Sequence, residues 1–387
     1  MAIRTVTAAA AGMLAVALSA GACGGGLSGG RHAQYAIGFQ GPLSGADQQF
    51  GLDAANGART AVEQANRSGR LPFTLRLVTA DDSGSARQAP SAAQTLIDNP
   101  DVIAVVGPLS SDAARASEAL YSQAGLLSVS PAATDPRLTG LGFVSFYRMA
   151  ASDTVQGTAT ADYVAKALKS RKVFSLDDGS AYGTALSGAF EKELRAQGVA
   201  VTHDTVEPTR GYTAEAAKII SGNSDTVFYA GYHQEFAPLT GALRAGGFSG
   251  AVMSGDGATG DRFVTEAGAA NAEGAYLIGP CGDPAGDPRA AGFVADYERV
   301  AGGAKPGACS GEAYDATSAV VEALRALGPE AGREAVTQTF ASVDLQGVTK
   351  RVAFAPSGDV ADTAVYVYQV RGGRRNLLGT TAALIGP

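Results

Sequence analysis

Segments typical of strands and segments typical of helices alternate almost without a break from residue 35 onwards. Short runs with aromatic and β-branched residues, such as residues 35–39 and 73–78, are followed by longer segments with small apolar residues at helical spacing, such as residues 50–67. Repeated alternation of this kind predicts parallel sheets with helices on both faces. One series precedes Asp153 and a second follows it, so the pattern predicts two α/β lobes, for which 387 residues are enough.

A βαβ unit over residues 101–134 carries small polar residues after both of its strands. Ser110 and Ser111 follow the first strand and offer N-cap chemistry to the next helix, and residues 132–134 follow the second strand. In an open parallel sheet, ligands bind at such carboxyl ends, and the N-terminus of a helix suits a carboxylate. The same residues also fit two ordinary strand-to-loop turns, so the fold alone leaves both interpretations open.

Residues 1–22 have the pattern of a secretory signal peptide. Arg4 is followed by an apolar stretch over residues 6–18 and by small residues at the cleavage position. Cys23 comes next and resembles the acylated cysteine of a bacterial lipobox, with a plain secreted protein as the alternative. Residues 23–33, which include GGGLSGGR, then predict a flexible, lipid-anchored tether. No later segment reaches the ~20 apolar residues that a membrane span needs.

Apart from Cys23, the chain has two cysteines, Cys281 and Cys309. In an exported protein, an isolated pair of this kind indicates one disulfide. Two unpaired thiols are the alternative, and they are less expected outside the cytoplasm.

Signatures of catalysis, of metal binding and of nucleic-acid binding are absent from the sequence. There is no Gly-x-x-x-x-Gly-Lys phosphate loop and no Gly-x-Ser-x-Gly nucleophile elbow. His32, His203 and His233 have no partner at metal-ligand spacing, and we expect His233 to be a solvated loop residue. The net charge of −7 provides no basic surface for nucleic acid. We therefore expect no enzyme activity, no metal and no cofactor.

Three further residues, Tyr182, Tyr232 and Asp256, follow strands of the second series. Two lobes would place them across a cleft from Ser111 and Thr134. Hydroxyls, amide N–H groups and a helix N-terminus bind a carboxylate, whereas an acid binds an ammonium group. Aromatic rings would cover an apolar side chain. The set predicts a zwitterionic ligand.

Taken in order, a series of motifs resembles the type I periplasmic binding proteins, in particular the leucine/isoleucine/valine-binding receptors of ABC transporters. The motifs cover about the whole mature chain and are GPLSGADQQFG, VTADDSGSARQAP, VVGPLSS, VSPAATDPRL, FYRMAASDTVQG, DDGSAYG, FYAGYHQEF and MSGDG. The resemblance implies two doubly wound, Rossmann-like α/β lobes joined by three hinge crossings. Lobe 1 would comprise residues 34–149 and 281–352, and lobe 2 residues 150–280 and 353–387.

The resemblance also implies roles for the candidate residues. Ser111 and Thr134 would bind the α-carboxylate of the ligand together with nearby backbone. Asp256 and the groups around Ala132 would bind its α-ammonium, Leu109 would touch its side chain, and the two tyrosines would close over it. The complete set of expected ligand-binding residues is Phe50, Leu109, Ser110, Ser111, Ala132, Ala133, Thr134, Tyr182, Tyr232 and Asp256.

The sequence departs from the pattern of this family at several of these positions. Phe50 stands where the family usually has a tyrosine, and Asp256 replaces a longer glutamate. Gly84 and Ser110 occupy the positions of a frequent family disulfide, which the Cys281–Cys309 pair would replace, and Cys309 falls where a large pocket aromatic would stand. These departures preserve the expectation of an amino acid but weaken that of a branched-chain one.

Together these features predict an extracytoplasmic substrate-binding lipoprotein of an ABC importer. It would be a monomer on the outer face of the cell membrane, or in the periplasm, and would capture a branched-chain or other apolar amino acid by hinge closure before docking on a permease. The crossings are expected near residues 149–152, 280 and 351–354, and a terminal hairpin between residues 351–354 and 364–371. The alternatives are a sensing domain for a membrane receptor or kinase, and a receptor for a non-amino-acid carboxylate or amide. An amidase-like enzyme is disfavoured because no nucleophile–base pair is present.

Overall fold

The computed structural model describes residues 33–207 and 211–386, which form two α/β lobes, each built on one large sheet. The predicted signal peptide, Cys23 and the tether up to residue 32 lie outside the described residues. Residue 33, the last of the predicted tether, begins the first strand.

Lobe 1 contains a parallel sheet with the strand order β2-β1-β3-β4-β5. Its strands are β1 (Ala33–Gly41), β2 (Phe73–Asp81), β3 (Val102–Val106), β4 (Leu127–Ser130) and β5 (Phe146–Arg148). Its helices are α1 (Gln48–Arg67), α2 (Ala89–Ile97), α3 (Ser111–Gln123), α4 (Arg137–Gly140), α11 (Ala291–Val300), α12 (Ser310–Leu327) and α13 (Arg333–Phe340). Both faces of the sheet are covered, because α1, α12 and α13 enclose one apolar cluster and α2 and α3 enclose another.

Lobe 2 contains a sheet with the order β14-β13-β10-β9-β8-β6-β7, in which β13 pairs antiparallel with both β10 and β14 and the other pairs are parallel. The strands are β6 (Lys172–Asp177), β7 (Ala200–Thr205), β8 (Thr226–Ala230), β9 (Ala251–Ser254), β10 (Tyr276–Gly279), β13 (Tyr366–Arg371) and β14 (Arg374–Thr380). The helices are α5 (Asp153–Asp162), extended by a π-helical turn over Tyr163–Ala167, then α6 (Ala181–Ala196), α7 (Thr213–Ser221), α8 (His233–Ala245), α9 (Asp261–Ala267), α10 (Ala269–Ala272) and α14 (Thr381–Ile385). Two apolar clusters again pack on the two faces.

Serine residues begin several of the helices that follow strands. The side chains of Ser110, Ser152 and Ser180 accept hydrogen bonds from backbone N–H groups in the first turns of α3, α5 and α6. Such caps satisfy amide groups that would otherwise lack partners. They also fix hydroxyl groups and helix N-termini at the carboxyl edges of the sheets, as the sequence predicts for Ser110.

The predicted terminal hairpin is wrong in its pairing. β12 (Arg351–Ala353) pairs with a strand that the sequence analysis missed, β11 (Asp344–Gln346), and β13 pairs with β10 and with β14, also missed. Between β13 and β14 lie Gly372 and Gly373, whose φ angles are +60° and +70°. Two consecutive residues of positive φ form the tight turn that matches the twist of a two-stranded hairpin, and glycine adopts this conformation without strain.

The chain passes between the lobes at three places, after β5, after β10 and before β13. Residues 358–360 still pair with β5 through Arg148, so lobe 1 extends beyond residue 352, where the sequence analysis ended it. The buried Lys350 connects the crossings, because its Nζ donates to the carbonyl groups of Met149 (3.2 Å) and Pro280 (3.3 Å). Glu312 Oε1 lies 3.8 Å from the same Nζ.

Candidate functional site

A cavity of about 410 Å³ lies between the lobes, at the carboxyl ends of strands from both sheets. The structure brings nine of the ten predicted ligand-binding residues to its wall: Phe50, Leu109, Ser110, Ser111, Ala132, Thr134, Tyr182, Tyr232 and Asp256. Ala133 does not line the cavity, because its side chain packs in a small apolar cluster with Ala114, Leu138 and Phe146. Ala132 instead packs beside the cavity with Phe50, Cys281 and Cys309.

Hydroxyl groups and a helix N-terminus form one corner of the cavity. Ser110 Oγ caps α3 by accepting from the N–H of Ala113 at 3.2 Å. Ser111 Oγ accepts from the N–H groups of Thr134 and Asp135, both at 3.1 Å, and so joins the start of α3 to the loop after β4. No described residue accepts a hydrogen bond from the Ser111 hydroxyl, so its proton is available for a ligand. A donor hydroxyl beside the positive end of a 13-residue helix favours a negatively charged ligand group.

Asp256 forms a second corner of the cavity, and the fully buried Asp153, which does not line the cavity, lies near enough to be affected by the charge of Asp256. Burial raises the pKa of Asp256 to about 6, and its Oδ1 has no hydrogen-bond partner among the described residues. Asp153, at the first crossing, is fully buried, and within the described part of the chain neither of its oxygens has a partner either. Burial and then the charge of Asp256 raise the pKa of Asp153 well above its usual range. These effects favour the neutral form of Asp153, so the carboxyl that suits a cation is that of Asp256, on the cavity wall.

Aromatic residues and the disulfide form the walls between these corners. The rings of Tyr182 and Tyr232 lie 5.5 Å apart, and the Tyr182 hydroxyl accepts from the N–H of Gly257 at 3.0 Å. Gly257 permits this approach, because a Cβ there would lie 3.1 Å from the Tyr182 ring and 2.5 Å from a carbonyl oxygen. Phe50 packs against Ala132 and the two cysteines.

Cys281 and Cys309 form the predicted disulfide. It joins the second crossing to the residue before α12, and Cys309 itself lines the cavity. The segment that the disulfide closes includes residues 304–308, which line the cavity as well. The disulfide therefore positions part of the wall. Cys281, Cys309 and Glu312 are also the one group of potential metal ligands clustered among the described residues, and two of its members are consumed by the disulfide.

Residues 46 and 47 of lobe 1 meet lobe 2 at the mouth of the cavity. Asp47 Oδ1 accepts from Gln234 Nε2 at 2.8 Å and lies 3.4 Å from His233 Nε2. The guanidinium of Arg262 donates to the Ala46 carbonyl. These contacts, which we call the mouth bridge, hold the lobes together over the cavity.

The expectation that His233 is a solvated loop residue is wrong. His233 begins α8, is 7% exposed, and its Nδ1 lies 2.7 Å from Glu266 Oε2. Burial acts to lower the pKa of His233, but hydrogen bonds with Asp47 and Glu266 outweigh burial, so the pKa is raised. Its two acidic partners come from segments far away in the sequence, and no local pattern indicated them.

Other residues of the wall were also outside the prediction, including Asp53, Asp261 and Arg375. They lie on α1, at the start of α9 and on β14, rather than at the ends of parallel strands. A search confined to strand ends could not find them.

Two doubly wound lobes that enclose such a cavity are the architecture of a ligand-binding protein whose lobes close around the ligand. The model of the periplasmic binding protein family matches residues 34–375, and the chain belongs to this family. It is 31% identical over 373 residues to the "Amino acid binding protein" of Pseudomonas aeruginosa, with 93% of this chain and 96% of the relative covered. It is 34% identical over 235 residues to the "Leu/Ile/Val-binding protein BraC3" of Rhizobium johnstonii, with 60% and 64% covered.

Solved structures share the fold. The branched-chain amino acid transporter substrate-binding protein LivJ from Streptococcus pneumoniae, in complex with isoleucine, has a TM-score of 0.81 at 24% identity, with 89% of this chain and 99% of that chain covered. The leucine binding protein LivK from Thermotoga maritima gives the same TM-score and identity, with 89% and 98% covered. These likenesses confirm the predicted fold class. Within the described residues, no helix combines the length and the apolar character required to cross a membrane.

Proposed function

We propose that this chain captures a free α-amino acid between its lobes, as the substrate-binding protein of an ABC importer. The observation that carries the proposal is the presence of both kinds of corner on the wall of one cavity. The Ser111 hydroxyl and the N-terminus of α3 suit a carboxylate, and Asp256, whose Oδ1 has no hydrogen-bond partner among the described residues, suits an ammonium group. A zwitterion satisfies both corners, whereas a simple acid or amine satisfies one.

Each group has a defined task in this proposal. The α-carboxylate accepts from the Ser111 hydroxyl and the start of α3, and the α-ammonium donates to Asp256. Tyr182 and Tyr232 cover the ligand from lobe 2. No covalent step takes part, and the relatives named above are themselves binding proteins.

Closure follows from the division of these groups between the lobes. Ser111 and Thr134 belong to lobe 1, and Asp256 and the tyrosines to lobe 2, so only a closed cleft brings all of them to one ligand. A ligand that contacts both lobes shifts the equilibrium toward the closed form. The names of the relatives support an importer permease as the partner and make leucine, isoleucine and valine the first ligands to test.

Anchoring is a separate part of the proposal. A lipid on Cys23 would hold the protein, as a monomer, at the outer face of the membrane near the permease, with residues 24–32 as the tether. Incorporation of labelled fatty acid that Cys23→Ser abolishes would support the anchor. Full release of the unmodified wild-type chain into the medium would contradict it.

Isothermal titration with leucine and two of its analogues tests the zwitterion. 4-Methylpentanoate lacks the ammonium group of leucine, and 3-methylbutylamine lacks its carboxylate. We expect both analogues to bind at least ten-fold more weakly than the best-bound of leucine, isoleucine and valine. We expect Asp256→Asn to weaken amino-acid binding by a similar factor.

Asp344 is an exposed acid outside the cavity, so Asp344→Asn is the matched control and should leave binding unchanged. Equal binding of 4-methylpentanoate and leucine would refute the ammonium site. If none of the twenty amino acids bound or raised the melting temperature, the proposed function would be refuted.

A further inference from the structure

A further polar cluster lines the cavity, separate from the corner of Asp256. It consists of Asp53 on α1, Asp261 at the start of α9 and Arg375 on β14, and we call it the Asp53–Arg375 cluster. Asp261 and Arg375 lie near enough to Asp53 to act on its pKa in opposite directions. None of the groups that shift the pKa of Asp256 belongs to this cluster. The cavity wall therefore carries this cluster in addition to the corner of Asp256 and the mouth bridge.

Asp53 presents an unused acceptor to the cavity. Its Oδ1 accepts from Gln49 Nε2 at 2.9 Å and from the Tyr297 hydroxyl at 3.3 Å. Its Oδ2 accepts no hydrogen bond from any residue that the structure describes, and Gly307 lies so close that a Cβ there would be 1.9 Å from it. Burial raises the pKa of Asp53 to about 6 despite its two hydrogen bonds. An acceptor in such surroundings gains from a donor supplied by a ligand.

Arg375 presents unused donors to the same cavity. Its guanidinium lies over the ring of Tyr368, 4.6 Å from the ring centre. It forms no ion pair within 4.0 Å and no side-chain hydrogen bond with the described residues. Stacking on the ring holds the plane of the guanidinium while leaving its edge free to donate.

We propose that the ligand is an α-amino acid whose side chain ends in a carboxamide, as in glutamine, with its NH₂ group donating to Asp53 and its carbonyl accepting from Arg375. The inference rests on the proposed function, since the α-carboxylate and α-ammonium occupy the corners described above. The neutral carboxamide offers a donor and an acceptor on two separate atoms without adding charge, whereas a hydroxyl offers both from one oxygen and a neutral imidazole places them on a rigid ring.

The competing side chains each leave part of the cluster unsatisfied. An aliphatic side chain leaves both Asp53 Oδ2 and the Arg375 edge without partners. An ammonium-ended side chain pairs with Asp53 but approaches Arg375, and a carboxylate-ended one pairs with Arg375 but approaches Asp53 and Asp261. A site that offers hydrogen bonds discriminates strongly against ligands that cannot use them.

The test is isothermal titration of the purified chain with L-glutamine, L-leucine, L-lysine and L-glutamate. We expect glutamine to bind at least ten-fold more tightly than each of the other three. Asp53→Asn and Arg375→Met should each weaken glutamine binding ten-fold or more while changing leucine binding less than three-fold. Glu63→Gln, an acid-to-amide change on the outer side of α1, is the matched control and should alter neither.

The outcomes separate this inference from the proposed function. If leucine bound as tightly as glutamine and Asp53→Asn had no effect, the carboxamide would be refuted while the amino-acid receptor stood. Preference for lysine or glutamate would refute it equally. If no amino acid bound, the proposed function would fail first. Melting curves of the unliganded variants verify that each one folds.

Discussion

Lowering the pH should weaken amino-acid binding through Asp256. Burial raises the pKa of this carboxyl from 3.8 to about 6 in the unliganded protein. The ammonium group of a bound amino acid interacts with the ionised form and therefore lowers the pKa in the complex. The contribution of Asp256 to binding is then complete above the pKa of the unliganded protein and declines as the pH falls through 6.

The magnitude follows from the fraction of Asp256 that is ionised before binding. With a pKa of about 6, roughly nine-tenths is ionised at pH 7 and roughly one-tenth at pH 5. The Kd should therefore rise about ten-fold between these pH values, which corresponds to ~1.4 kcal/mol. The α-carboxylate and α-ammonium of the ligand keep their charges over this range, so the change belongs to the protein.

Isothermal titration at pH 5, 6 and 7 in two buffers of different ionisation enthalpy measures both the Kd and the protons released. We expect about half a proton to be released per bound ligand at pH 6, and Asp256→Asn to remove the slope. A slope above one log unit per pH unit would mean that Asp153 also loses its proton on binding. A Kd independent of pH in the wild-type protein would refute the assignment of Asp256 to the ammonium group.

Three further predictions concern the mouth bridge, the core and the wall. Protonated His233 strengthens the mouth bridge, and this contribution is complete below its ordinary pKa of ~6.5 and is lost as the pH rises through its raised pKa. Stopped-flow dissociation of the ligand should therefore accelerate toward pH 9 in the wild type but not in His233→Gln. Burial raises the pKa of Glu118 from 4.5 to about 8, so the free energy of unfolding should fall on the order of 3 kcal/mol between pH 4.5 and 7. Glu118→Gln should therefore raise Tm more at pH 7 than at pH 5. An equal change of Tm at both pH values would contradict this prediction. Replacing Cys281 and Cys309 together by serine should weaken ligand binding at least ten-fold at temperatures where the unliganded variant is still folded; unchanged binding would show that the disulfide does not position the wall.

Local patterns in the sequence predicted the strand–helix alternation and most of the strand-end residues of the site. Val102–Val106 and Thr226–Ala230 are buried along their whole length, as continuous apolar runs in parallel sheets should be. Ser110 was predictable as an N-cap, because a small hydroxyl side chain between a strand and a helix has few other local roles.

Features that depend on distant parts of the chain were not predictable in this way. The burial of His233 requires Asp47, which is 186 positions earlier, and the environment of Asp153 requires Asp256 from another strand end. Asp53 resembles any acid on an amphipathic helix until Gly307 and Tyr297 enclose it. The terminal hairpin failed for a related reason, since β14 is mostly polar and only its glycine turn marked the pairing.

Lys350 changes what kind of motion the crossings permit. Three independent connections would let one lobe twist and slide as well as bend relative to the other. A single buried ammonium group that donates to the carbonyls of Met149 and Pro280 ties two of the connections together, so a shift at one disturbs the other. Movements that would separate these two connections are resisted, and bending of the lobes about them is favoured. An adjoining protein could then read the presence of ligand from the angle of the cleft.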